Sequence, residues 1–239
     1  MNILFFIAAF ASEVIGTMAG FGSSTIFLPL ALLFVDFQTA LVLVAFLHIF
    51  GNLGRISFFR HGFDTSLIAK FGIPSVILTI VGALLVSYTP QEVLKGLLGI
   101  FLISYTSYSL LKKNFAVSPT TTSAVIGGGL SGFLAGLIGT GGALRGAFLT
   151  GFSLPKEKYI ATAAAIALVV DIARIPVYIS EGFLKSEYYW YLPILFIIAF
   201  VGSFTGRQIV VKISQKGFRK FVLIAIFLAG IKFIYDWII

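Results

Sequence analysis

The sequence predicts an all-α polytopic membrane protein built from two inverted repeats, each a re-entrant, broken helical hairpin followed by three transmembrane helices. Three observations predict it. The first is composition: 59% of the 239 residues are hydrophobic, 11% are charged, and the mean hydropathy is +1.05. A soluble domain has no core large enough for that apolar content, and the apolar runs are long enough to cross a bilayer. The second is an internal repeat. A shift of 119 residues lays Gly20-Phe21-Gly22-Ser23-Ser24 on Gly139-Thr140-Gly141-Gly142-Ala143, Asn52-Leu53-Gly54-Arg55 on Asp171-Ile172-Ala173-Arg174, and Pro74 on Pro193. The third is the distribution of loop charge.

Eight apolar segments follow one another, at 3–35, 38–59, 66–88, 93–111, 122–153, 159–179, 189–211 and 218–238. The longest polar connection runs from Lys112 to Ser123, where the repeat begins again, so the units are residues 1–114 and 120–239. The first and fifth segments are anomalous, because each exceeds 30 residues and carries a glycine cluster in its middle. As straight helices they would be about 45 Å long, well over the roughly 30 Å hydrocarbon core. Each must tilt, break or fold back.

Loop charge discriminates between these. With eight single crossings the loop Lys and Arg divide six against seven, which is no bias. With the first and fifth segments returning to the side they entered from, Arg60, Lys70, Lys112, Lys113, Lys156, Lys158, Lys212, Lys216, Arg219 and Lys220 share one side, leaving Lys95, Lys185 and Lys232 on the other. Ten against three is a positive-inside pattern and favours hairpins over eight parallel crossings. Three spans per unit is an odd number, which inverts one unit relative to the other and puts both termini outside. The net charge of +8 is thereby a matter of membrane orientation, and no nucleic-acid partner is expected. Met1 to Phe6 carry no basic residue and Glu13 follows the apolar run, so no cleaved signal peptide is expected. The absence of cysteine rules out disulfides and thiolate metal sites.

The hairpin tips are where chemistry is expected. Irregular backbone at membrane depth is tolerated where it lines a cavity or is buried in protein. The second arm of each hairpin starts at its tip, with Ser23, Ser24 and Thr25 after Gly20 and Gly22, and with Thr140, Gly141 and Gly142 after Gly139. Helix N-termini there present free N–H groups and a positive dipole end to the midplane, a setting for a small anion. Close helix packing is the better account of a single glycine cluster. Paired clusters at matching positions favour a site.

Ionisable and polar residues inside the apolar segments are the second group of candidates, because burying them is costly. Arg145, one turn past Gly141-Gly142, is the best anion ligand, through forked hydrogen bonds. Its structural alternative is pairing with Glu13 or Asp171. Arg55 and Arg174 hold equivalent places near helix ends and could instead snorkel. Asp171 and Arg174 are three apart and suited to pair. Glu13, His48, Asn52, Arg55, Asp171 and Arg174 together form a candidate proton or polar path, with a coupling proton as a candidate partner. Arg207 is assigned to the charge cluster with Lys212.

Gly20-Phe-Gly-Ser-Ser-Thr-Ile-Phe-Leu-Pro29 and Gly136-Leu-Ile-Gly-Thr-Gly-Gly-Ala-Leu-Arg145, each followed by a helix ending in Asn52-Leu-Gly-Arg55 or Asp171-Ile-Ala-Arg174, resemble the sulfite exporter TauE/SafE family, also called the toluene sulfonate uptake permeases. The resemblance covers nearly the whole chain. It implies a secondary transporter of sulfite, sulfonates, sulfoacetate or similar anions in a prokaryotic inner membrane. Ser23-Ser24, where a glycine often follows in the family, and Arg145 after the second tip depart from its usual pattern. No nucleophile–base pair, zinc signature or phosphate loop is present, so neither an enzyme nor a cofactor is expected. A passive anion channel built on paired re-entrant helices is the alternative.

Overall fold

The computed structural model describes residues 3–19, 22–58, 62–111, 117–210 and 215–238, with backbone alone for 19, 156, 210, 215–222 and 225. Every regular element among them is helical. The first half holds α1 (Ile3–Ala19), α2 (Ser24–Ala31), α3 (Phe37–Phe58), α4 (Thr65–Val86) and α5 (Gln91–Leu111). The second holds α6 (Thr121–Ile138), α7 (Gly142–Thr150), α8 (Lys156–Ser180), α9 (Tyr191–Val210) and α10 (Gln215–Ile238), with a short 3₁₀ turn at Ser186–Tyr188. Both overlong segments are broken where their glycines cluster. Gly22 (φ 89°) and Gly139 (φ 73°) sit at these breaks in the left-handed region that glycine alone enters cheaply.

Both broken segments double back on themselves. The Phe5 ring, in the first turn of α1, packs edge-on against Phe27 and Phe34 at 5.2 and 6.0 Å, so α2 runs antiparallel to α1. Gly16 makes this possible: a methyl there would lie 2.5 Å from Ser23 Cα. In the second half Gly127 of α6 faces Phe148 near the end of α7, and Gly151 abuts Val117.

Helix pairs between the halves come in matched sets. On the 119-residue shift α4 packed on α6 becomes α9 packed on α1, and α3 on α9 becomes α8 on α4; all four pairings occur. The α3/α8 and α5/α10 pairs map onto themselves. The α3/α8 pair is antiparallel. At one end Lys185 Nζ donates to Asp36 (2.8 Å) and Thr39 Oγ1 to the Phe183 carbonyl (3.4 Å). His48 meets Asp171 midway, and Asp64 N donates to Thr162 Oγ1 (3.1 Å) at the far end. Burial pushes the Asp36 carboxyl up, but the Lys185 ammonium and the Thr39 bonds outweigh it and hold it below the ordinary range.

Close approach sets the α4/α6 contact. Gly128, Gly132 and Gly136, one turn apart on α6, lie against the carbonyls of Phe71, Ser75 and Thr79, while Ser75 Oγ and Thr79 Oγ1 donate to the Gly128 and Gly132 carbonyls at 2.8 and 2.6 Å. Small residues repeated every four positions allow this in a membrane, where packing and hydrogen bonding replace the hydrophobic drive. Apolar side chains such as Ile73, Ile77 and Leu84 of α4 and Ile197 and Val201 of α9 are exposed on the outside. Among the described residues, six helical stretches are long and apolar enough to cross a membrane: Phe37–Phe58, Thr65–Val86, Gln91–Leu111, Thr121–Ile138, Glu157–Ser180 and Ser186–Ile209.

Gly132→Val should drive a side chain into the Ser75 backbone and lower the melting temperature of the purified protein, at an overpacking cost of about 1–3 kcal/mol. Gly72→Ala on α4, where the nearest side-chain atom would be 3.8 Å away, should leave it unchanged. Thermal unfolding of the two variants side by side checks the contact.

Candidate functional site

The buried polar groups gather where α1, α3, α8 and the two breaks meet. Glu13 of α1 is ion-paired with Arg55 of α3 and accepts from Ser203 Oγ of α9 at 2.9 Å. Arg55 extends the chain of bonds, with Nε donating to Thr17 Oγ1 (3.1 Å) and Nη1 to Asn52 Oδ1 (2.6 Å). Asn52 Nδ2 donates to Asp171 Oδ2 (3.5 Å), so these two repeat-equivalent residues touch. Asp171 is otherwise saturated. His48 Nδ1 meets Oδ2 at 2.8 Å, and Arg174 Nε and Nη2 lie 2.9 and 2.7 Å from Oδ1. Arg174 Nη1 continues to the Ala135 carbonyl (2.6 Å), next to the Tyr178 hydroxyl on the Gly136 carbonyl (2.5 Å).

Arg145 stands apart from this network. Its side chain is buried at 6% exposure, yet it forms no hydrogen bond or ion pair with any described residue. The carboxylates it might have neutralised, Glu13 and Asp171, are held by Arg55 and Arg174 instead. Neither of those arginines snorkels: they are buried at 5% and 1% exposure, so the helix-end alternative is corrected by their internal partners. Three buried guanidiniums face two buried carboxylates, which leaves one positive charge uncompensated with His48 neutral.

That charge borders a cleft. Arg145, Arg55, Asn52 and Thr17 supply its polar wall, Gly16 and Gly22 its backbone wall, and Ile160, Ala163 and Ala164 of α8 its apolar wall, around a narrow space of about 20 Å³. The cleft lies toward the end where α3 stops and α8 begins. At the breaks the Thr25 and Thr140 hydroxyls touch at 2.7 Å, joining the two segments. Ser23 precedes α2 without capping it, and its buried Oγ has no partner among the described residues.

Of the residues singled out in the sequence, Gly22, Asn52, Arg55 and Arg145 line the cleft. Glu13, His48, Asp171 and Arg174 form the network behind it. Ser23, Ser24, Thr25 and Thr140 are buried at the touching breaks. Gly139 packs on Leu28 and Leu41, Gly141 on the Ser131 carbonyl and Ala135, and Gly142 opens α7, so these three sit in helix packing and off the cleft wall. Gly20 lies outside the described residues, as does Lys212, the partner assigned to Arg207. Sequence reasoning missed Gly16, Thr17, Ile160, Ala163 and Ala164. Gly16-Thr17 interrupts an apolar run and Ala161 to Ala165 is a run of small residues, but packing alone accounts for such signals.

A multi-helix apolar chain with a cluster of buried charges and a polar cleft among them defines a membrane transport protein. The chain belongs to the sulfite exporter TauE/SafE family, whose model matches residues 4–233, nearly its full length. That family moves sulfite and related anions across membranes. No curated protein and no solved structure matches the chain.

The two kinds of arginine should separate in stability. Arg55→Ala would strand Glu13 in the interior and cost about 3–5 kcal/mol, whereas Arg145→Ala leaves no partner unpaired and should move the melting temperature little. A second change, Glu13→Gln, should recover most of the Arg55→Ala loss, and thermal unfolding of the single and double variants measures it.

Proposed function

We propose that this chain is a secondary transporter that carries a small sulfur-containing anion, such as sulfite, a sulfonate or sulfoacetate, across a prokaryotic cytoplasmic membrane by alternating access. The observation that carries this reading is Arg145: a buried guanidinium with no hydrogen bond or ion pair among the described residues, facing a cleft also lined by the Gly22 backbone, Thr17, Asn52 and Arg55. A planar fork of N–H groups suits the oxygens of a sulfur oxyanion, and a dry, preorganised setting strengthens each bond.

Two inverted units, residues 1–114 and 120–239, are the frame for this mechanism. The antiparallel α3/α8 and α5/α10 pairs, the matched pairings between halves and the returning broken segments support it, since a two-fold axis across antiparallel spans lies in the membrane plane. The ten-against-three charge count puts the mouth of the cleft, near Ile160 and Lys158, on the cytoplasmic side.

Applying the same shift to the cleft gives its counterpart on the opposite side, and that counterpart is packed shut. Ile160, Ala163 and Ala164 correspond to Leu41, Val44 and Ala45, all fully buried, and Gly16 and Thr17 to Ala135 and Gly136, whose carbonyls accept from Arg174 and Tyr178. Ile160 and Ala163 are partly exposed where Leu41 and Val44 are fully buried, an asymmetry that supports a carrier lying toward an inward-facing state. A passive anion channel needs both open together.

In proteoliposomes, uptake of sulfite should saturate and be accelerated by the same anion trapped inside, which a channel would not do. Arg145→Lys keeps charge but loses the fork and should weaken anion binding about tenfold; Arg145→Ala should weaken it further, by about a hundredfold. In this cysteine-free chain, cysteine at Ile160 should react with a hydrophilic maleimide and cysteine at Leu41 should not, until anion turnover exposes it from the other side. Equal labelling of both without substrate would argue for the channel.

A further inference from the structure

His48 has one use for each ring nitrogen, and only one is taken. Nδ1 donates to Asp171 Oδ2 at 2.8 Å, which fixes the neutral tautomer with its lone pair on Nε2. Nε2 is buried and has no hydrogen-bond partner among the described residues. It points at the first break: a methyl on Gly22 would lie 2.7 Å from it. Gly22 lines the cleft and has no side chain, so a single stretch of backbone separates the imidazole from the space beside Arg145. Ser23 Oγ, next in the chain, is likewise buried and has no partner among the described residues.

The charges around His48 make its proton count. Asp171 on α8, Arg55 on its own helix and Arg145 on α7 act on it directly. Arg174 on α8 is bound to Asp171, and Glu13 on α1 to Arg55. α9 adds the Ser203 hydroxyl through Glu13. With His48 neutral, this set carries one net positive charge; with Nε2 protonated it carries two, and the new N–H faces the break with no acceptor among the described residues.

We infer that His48, oriented by Asp171, matches the charge of the site to the charge of its anion, so that a monoanion binds without a proton and a sulfur oxyanion dianion binds together with one. On entry of a dianion a proton from water forms the Nε2–H bond; on release the bond breaks and the proton returns to water, with no change of oxidation state. His48 is a positioning and charge-setting residue here, and the inference rests on the anion site proposed above. It extends that reading from a class of anion to a rule for which charge states are accepted.

Two probes of fixed charge test it: methanesulfonate, a monoanion, and sulfate, a dianion, across the range from about pH 5 to pH 9 in which histidines titrate. Calorimetry of wild-type protein in nanodiscs, repeated in buffers of different ionisation enthalpy, reads the protons taken up per anion bound. The expected result is one proton for sulfate and none for methanesulfonate on the alkaline side. There sulfate affinity falls about tenfold per pH unit while methanesulfonate affinity stays flat, because a ligand that binds with one proton is linked to pH with unit slope. His48→Gln should abolish proton uptake with sulfate and remove its preference for acid pH, and the wild-type measurement stands should that variant not fold.

Equal proton uptake for the two anions, or none for either, overturns the inference and leaves the anion site intact. So does uptake that persists in His48→Gln, which places the proton elsewhere, and so does a site that takes methanesulfonate and refuses sulfate at every pH. Binding of neither probe overturns the anion site itself, and the inference with it.

Discussion

The contact between Asp171 and its ring of donors is the constraint from which the rest of the molecule follows. A carboxylate at 1% exposure inside an apolar bundle survives only if its lone pairs are used, and His48, Asn52 and Arg174 use them from two different helices. Supplying His48 and Asn52 fixes the height and rotation of α3 on α8. Arg55, on the next turn of α3, then fixes α1 through Glu13 and Thr17, and Glu13 reaches α9 through Ser203. One saturated carboxylate thus registers α1, α3, α8 and α9, while the glycine stripe of α6 registers α4. Arg145 is left without an ion pair among the described residues, and a buried cation is costly in a bilayer unless negative charge is supplied to it.

The two halves are alike where the frame is built and unlike along the proposed anion cleft. Arg55 and Arg174 are equivalent, and both are held by acids. Asn52 and Asp171 are equivalent, but only the second is charged. Arg145 has Ile26 as its counterpart, and the apolar wall of the cleft has the fully buried Leu41 and Val44. A perfect repeat would offer the same affinity to both sides of the membrane. This one places Arg145 beside the second break and the apolar Ile26 at the matching place beside the first.

Much of this was legible in the sequence, and what was not has a physical cause. Segment length against bilayer thickness announced the two breaks, and the shift of 119 residues announced which elements would correspond. The three-residue spacing of Asp171 and Arg174 announced their pairing, because that spacing is a helix-surface geometry. The pairing of Glu13 with Arg55, 42 residues apart, has no local signature; it depends on which face of α1 meets α3. Glycine was the ambiguous letter. Gly22 borders the cleft, whereas Gly139 and Gly141, identical by motif, are used to pack against Leu41, Leu28 and the Ser131 carbonyl. Both uses need the missing side chain, so only the third dimension separates them.

The breaks also bear on how such a site can change sides. Moving an intact span would shear the α3/α8 network and strand charges, at several kcal/mol for each one left unpaired. α2 and α7 are short, each begins at a glycine-containing break, and the Thr25–Thr140 hydroxyl contact joins the two breaks. The counterpart of the cleft is closed by Arg174 and Tyr178 on two carbonyls of α6, bonds that can be exchanged for water without exposing a charge to hydrocarbon. In the proposed carrier the ion network would stay fixed and only the walls around it would shift. In that proposal the unequal residues on those walls would set how tightly each face holds the anion, while the direction of net flux is left to the gradients across the membrane, since no arrangement of residues can displace an equilibrium by itself.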